Sequence, residues 1–145
     1  MSPANVAANV VVHIEVQTFY ARQMRLLDAL DVEGYAQTFT EDGVTDHAHR
    51  SEKVEGRAAL IAGASAALPR YKGVAVRHWN DHYLIEEVDE NTLNVSYASL
   101  VTRTTADGQV SFEPTFSIED VLVRIDGQLY TKSRTIHRDL PVQAA

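Results

Sequence analysis

The chain has 145 residues, 45% hydrophobic and 23% charged, the balance of one soluble globular domain over residues 1–145 with its core at about 11–140. A formal net charge of −7 disfavours nucleic acid and anionic membranes as partners, and no run of about 18 apolar residues offers a membrane span. With no cysteine there are no disulfides, thiolate nucleophiles or zinc–thiolate sites, a composition compatible with a cytoplasmic protein.

Ser2–Asn9 reads as a ragged start, and Met1–Val12 lacks the Lys or Arg that a signal peptide needs. From Val11 to Leu30 one set of residues recurs at three- and four-residue steps: Val12, Val16, Phe19 and Tyr20, then Gln23, Leu26, Leu27 and Leu30. That period predicts a helix. Asp31 is placed to cap a second helix, Val32–Phe39, which Thr40-Glu41-Asp42-Gly43 should break. Val44–Ala48 is a short strand candidate, followed by a polar loop with His47, His49, Arg50, Ser51 and Glu52. Ala58–Leu68 is an alanine-rich helix that Pro69 should stop.

Four strands then follow: Val74–Glu86, Thr92–Thr104, Val110–Ile125 and Leu129–His137, joined by turn signals at Glu86–Asn91, Asp107-Gly108 and Asp126-Gly127. Pro114 is tolerated in the third only at an edge or a bulge. Asp139–Ala145 is a tail. Helices followed by strands with tight turns give an α+β fold with antiparallel pairing.

The strand from Val74 holds most of the candidate chemistry. Alternation puts His78, Asn80, His82 and Leu84 on one face and Arg77, Trp79, Asp81 and Tyr83 on the other. The first face therefore offers two imidazoles and an amide, a proton-transfer group beside a hydrogen-bonding group, if it lines a pocket. Asp46, His47 and His49 are close in sequence, but three polar residues in a loop are more often solvated than metal-bound, so no metal is expected.

The element order, with Leu26-Leu27-Asp28-Ala29-Leu30-Asp31, Phe39-Thr40-Glu41-Asp42-Gly43-Val44, Glu55-Gly56-Arg57 and Arg77-His78-Trp79-Asn80, resembles the SnoaL-like group of the nuclear-transport-factor-2-like superfamily over nearly the whole chain. The resemblance implies a cone: a strongly curved mixed sheet with about three helices closing its concave side around a pocket. It also implies a range of roles, from polyketide cyclases, scytalone dehydratase and ketosteroid isomerase to the small subunits of ring-hydroxylating dioxygenases and proteins that only bind. Set against scytalone dehydratase, His78 falls at the position of a pocket histidine and Asp28 at that of the aspartate orienting a catalytic histidine. His47 replaces a tyrosine on the first strand. The region of a second histidine reads Val101-Thr102-Arg103, so that dyad is not reproduced.

The resemblance thus implies a cofactor-independent acid–base cyclase, dehydratase or isomerase acting on a small, mostly apolar, polyketide-like carbonyl compound. The alternative is a ligand-binding domain or an accessory subunit without catalysis. His78 and Asp28 are the catalytic candidates; Asn80, Tyr20, His47 and His82 are the substrate-binding ones. Tyr20 is apolar-face material that can also present a hydroxyl. Arg57 reads as a surface charge at a helix start. A homodimer is expected, because a broad sheet face carrying Trp79 and Tyr83 is a contact surface.

Overall fold

The computed structural model describes residues 3–142, with side chains from residue 9 onward. Helix α1 spans Pro3–Asp28, α2 Val32–Gln37 and α3 Arg57–Ala67. The strands are β1 (Phe39–His47), β2 (Glu52–Glu55), β3 (Val74–Asp89), β4 (Thr92–Thr105), β5 (Val110–Phe112), β6 (Phe116–Ile125) and β7 (Gln128–Arg138). They form one curled, unclosed mixed sheet in the order β2-β1-β7-β6-β4-β3, with β5 on β4. The β1–β7 pair is parallel and every other pair antiparallel. The expected α+β cone with three helices is therefore the observed architecture.

Several boundaries differ from expectation. The start over Ser2–Asn9 is helical from Pro3, while Ser2 and residues 143–145 lie outside the described residues. The second helix ends at Gln37, because the backbone N–H of Thr38 closes onto Tyr35 and Ala36 carbonyls and the Thr38 hydroxyl donates to the Tyr35 carbonyl. Phe39 therefore begins β1. The polar loop contains a single 3-10 turn, Ala48–Arg50, before β2 pairs back on β1. The expected long strand Val110–Ile125 is two strands, since Pro114 has no N–H to continue a ladder.

The end of α1 matters for the site. Leu30 takes a left-handed φ of 60°, the Asp31 N–H bonds the Leu26 carbonyl, and the Leu30 N–H bonds the Leu27 carbonyl. This is a Schellman closure with leucine where glycine is usual. It stops the helix just after Asp28 and leaves Asp31 to cap α2 through Gly34 N, as expected.

Strand alternation predicts the buried face of β4 correctly: Leu93, Val95, Tyr97, Ser99 and Val101 are all buried. Leu93, Val95 and Tyr97 pack against Val16 and Tyr20 of α1 and Ile118, Leu122 and Leu129 of β6 and β7. On β3 the alternation fails midway. His82 has a positive φ of 61°, and the pairing with β4 shifts register between Asp81 and Leu84. A bulge of this kind inserts one residue and reverses the parity beyond it. His82 and Leu84 are therefore exposed, while Tyr83 turns inward and stacks on Tyr20 at 5.3 Å.

Candidate active site

Helices α1, α2 and α3 and the concave face of the sheet enclose a cavity of about 250 Å³. Its wall is largely apolar, with Met24, Leu27, Leu60, Ala64, Ile118 and Ile136. Polar groups enter it from β1 (Thr45, His47), β3 (His78, Asn80), β4 (Tyr97, Ser99), β7 (Arg134) and α2 (Tyr35).

His78 and Asp28 meet. His78 Nδ1 lies 2.7 Å from Asp28 Oδ1, and the His78 backbone N–H donates to both carboxylate oxygens at 3.0 and 3.2 Å. An ionised carboxylate only accepts, so Nδ1 carries the proton and Nε2 keeps its lone pair. Asp28 thus fixes the tautomer, the ring and the strand backbone together. Both side chains are about one-fifth exposed, which leaves the pair partly dried but reachable.

Asn80 also lines the cavity. Among the described residues neither of its amide atoms has a hydrogen-bond partner although both are buried, and the same holds for Thr45 Oγ1. Buried polar groups are seldom left this way, and each costs about 1–3 kcal/mol when unsatisfied. Three such atoms, all on residues lining one cavity, are what a polar ligand group would satisfy.

His47 lines the mouth beside Arg50 and Glu52, which pair at 2.8 Å. Burial, and then the Arg50 charge, hold its pKa below the ordinary imidazole value, so it is neutral at pH 7. Tyr20 does not line this cavity. It is 1% exposed, and its hydroxyl is committed to Asp120 at 2.9 Å. His82 does not line it either, for the bulge turns it to solvent. Arg57 is more than a surface charge: Nε and Nη2 donate to the Phe39 carbonyl at 3.0 and 2.7 Å and tie α3 to the start of β1.

A buried polar network beside the cavity escapes the sequence reading. Arg134 and Asp120, 4% and 2% exposed, form a bidentate pair, Nε to Oδ1 at 3.0 Å and Nη2 to Oδ2 at 2.8 Å. Arg134 also donates to Gln23 Oε1 at 2.6 Å and to the Tyr35 hydroxyl at 2.8 Å. Tyr97 joins Tyr20 in donating to Asp120. Burial works against the Arg134 charge, but Asp120, Tyr97 and Tyr35 together outweigh it and hold the guanidinium well above its ordinary pKa. Burial, reinforced by Asp120, raises both Tyr20 and Tyr97, so both phenols stay protonated.

Asp120 left a signal: it stands between Ile118 and Leu122 on the apolar face of its strand. Arg134 left none, because Lys132 is the extra residue of a β7 bulge (Val121 pairs Ser133 while Leu122 pairs Thr131) that turns Arg134 inward. Among the described residues no group of three His, Asp or Glu could hold a metal ion, and no helix is long and apolar enough to cross a membrane.

Residues 12–135 match the SnoaL-like domain family. Among solved structures, Aln2 from a Streptomyces species is 40% identical, with 95% of this chain and 93% of that one covered and a TM-score of 0.84. ActVI-ORFA from Streptomyces coelicolor is 35% identical over 88% of this chain and 98% of its own, TM-score 0.81. A Catenulispora acidiphila protein solved in complex with S-DNPA is 35% identical over 89% and 94%, TM-score 0.81. Comparison with curated proteins returned no match.

Proposed function

The chain belongs to the SnoaL-like domain family, and from that premise we propose that it is a cofactor-independent acid–base enzyme, a cyclase, dehydratase or isomerase, acting on a small, mostly apolar carbonyl compound of polyketide type. The observation that carries this reading is the 2.7 Å contact of Asp28 with His78 Nδ1 at the wall of a largely apolar cavity. The carboxylate holds the histidine in the tautomer that a general base needs. The complex of a related chain with S-DNPA supports a small-molecule site.

In the proposed reaction His78 Nε2 takes a proton from carbon next to the substrate carbonyl. The C–H electron pair becomes the enolate double bond, and the charge moves to oxygen. Asp28 stabilises the imidazolium that forms. Asn80 and Thr45 offer hydrogen bonds to the substrate, and the apolar wall keeps bulk water from the enolate.

Exchange of carbon-bound protons tests this without the natural substrate. A panel of enolisable aromatic ketones is incubated with the protein in deuterium oxide and followed by proton NMR. The wild type should accelerate exchange in at least one member. Asp28→Asn, which loses the charge and permits the wrong tautomer, should slow that exchange by about 10²-fold or more. A wild type inert across the panel, or an Asp28→Asn variant as fast as wild type, removes the acid–base reading.

The proposal extends to assembly as a homodimer. By pairing register Arg77, Thr102 and Phe112 share the outer face of the sheet, with Trp79 and Val110 beside them. Trp79, Val110 and Phe112 are 52%, 56% and 70% exposed, which makes an apolar patch suited to a second copy. Tyr83, expected on this face, is not part of it. Light scattering at micromolar concentration should give twice the chain mass, and Phe112→Asp should halve it; a monomeric wild type overturns the dimer.

A further inference from the structure

Three tyrosine hydroxyls meet the buried Arg134–Asp120 pair, and they are used in two opposite ways. Tyr20 and Tyr97 donate to the Asp120 carboxylate at 2.9 and 3.0 Å. Tyr35 accepts, its oxygen taking the Arg134 Nη1 hydrogen at 2.8 Å. A phenol that accepts in this way still has its own proton to give. Among the described residues none is bonded to receive that proton. Tyr35 is 7% exposed, and it lines the same cavity as His78.

We propose that the Tyr35 hydroxyl is a further catalytic residue, the hydrogen-bond donor that holds the oxygen of an enolate or phenolate in the cavity, with Arg134 polarising it from behind. This rests on the acid–base reading of His78. When the C–H pair collapses into the enolate, negative charge grows on the carbonyl oxygen; the Tyr35 proton stays on Tyr35 and stabilises that charge through its hydrogen bond. Arg134 makes the donor stronger, because a cation bonded to the phenol oxygen draws electron density from the O–H bond. The guanidinium is itself held in place by Asp120 and Gln23, so the donor is preorganised and does not move as charge develops.

Two features separate this role from packing. The Tyr35 ring sits edge-on to Phe39 at 5.2 Å, a contact that phenylalanine would make equally well, and the hydroxyl oxygen satisfies Arg134, so neither contact uses the hydroxyl proton. Burial raises the Tyr35 pKa, so the group is a protonated donor at neutral pH.

The test uses p-nitrophenol, whose neutral and ionised forms absorb differently. The wild type should bind p-nitrophenolate, and Tyr35→Phe should weaken that binding by about 10- to 100-fold, as expected for a hydrogen bond to a charged group. Near-UV circular dichroism should be unchanged, since the ring remains. If Tyr35→Phe is poorly folded, a strongly downfield hydroxyl proton in the wild-type p-nitrophenolate complex replaces it as the readout. The proposal is overturned by unchanged affinity in Tyr35→Phe, by absence of that downfield proton, by loss of affinity in Asn80→Ala alone, or by a wild type that does not bind p-nitrophenolate at millimolar concentration. The two readings fail separately: His78→Gln is read by deuterium exchange and Tyr35→Phe by phenolate affinity. Exchange lost in the first with affinity unchanged in the second leaves the base standing and removes the donor.

Discussion

Replacing His78 by Gln should lower proton exchange of a responsive ketone by about 10²–10⁴-fold, the usual contribution of a positioned general base. Glutamine keeps a polar side chain at the cavity wall but cannot take up a proton at neutral pH. His78→Ala should be at least as slow. Both variants should fold, because the side chain is about one-fifth exposed and the core cluster does not include it. The Asp28 carboxylate would still accept the residue-78 backbone N–H, so the end of α1 stays tied to β3. Full activity in both variants would make His78 a structural histidine.

The second large effect concerns stability. Asp120→Asn should destabilise the protein by about 3–5 kcal/mol, the cost of leaving a buried charge without its partner. At about 2–4 °C per kcal/mol this lowers Tm on the order of 10 °C. Asp120 is the only acid that Arg134 contacts among the described residues, and their side chains are 0% and 4% exposed. The change also leaves Tyr20 and Tyr97 donating to a neutral amide oxygen. The double variant Asp120→Leu, Arg134→Met removes both charges and should recover part of the loss, because a buried pair is worth little against apolar side chains of similar size. It should still lose the phenolate affinity assigned to Tyr35, since the cation behind that hydroxyl is gone. A single Asp120→Asn variant within about 1 kcal/mol of wild type would mean that Arg134 finds water through the cavity, against the burial argument.

Helix and strand periods, turn residues and the Asp31 cap are local, and they placed most elements, the α+β order and the buried face of β4. They also put His78 and Asn80 on one face, four residues into a strand whose alternation was still intact. The pairing of Asp28 with His78 was legible only through a family resemblance, because fifty positions separate them and no periodicity spans that interval. Bulges decided the rest. One at His82 turned that histidine to solvent and packed Tyr83 against Tyr20 and the core; another at Lys132 turned Arg134 inward. A bulge costs one residue of register and leaves no mark in composition, while it reverses every side chain beyond it. The Arg134–Asp120–Tyr35–Gln23 network joins α1, α2, β6 and β7. Each member read alone is an ordinary polar residue. Only the closure of the helices over the curved sheet desolvates them together, and that shared burial is what makes them bond to one another.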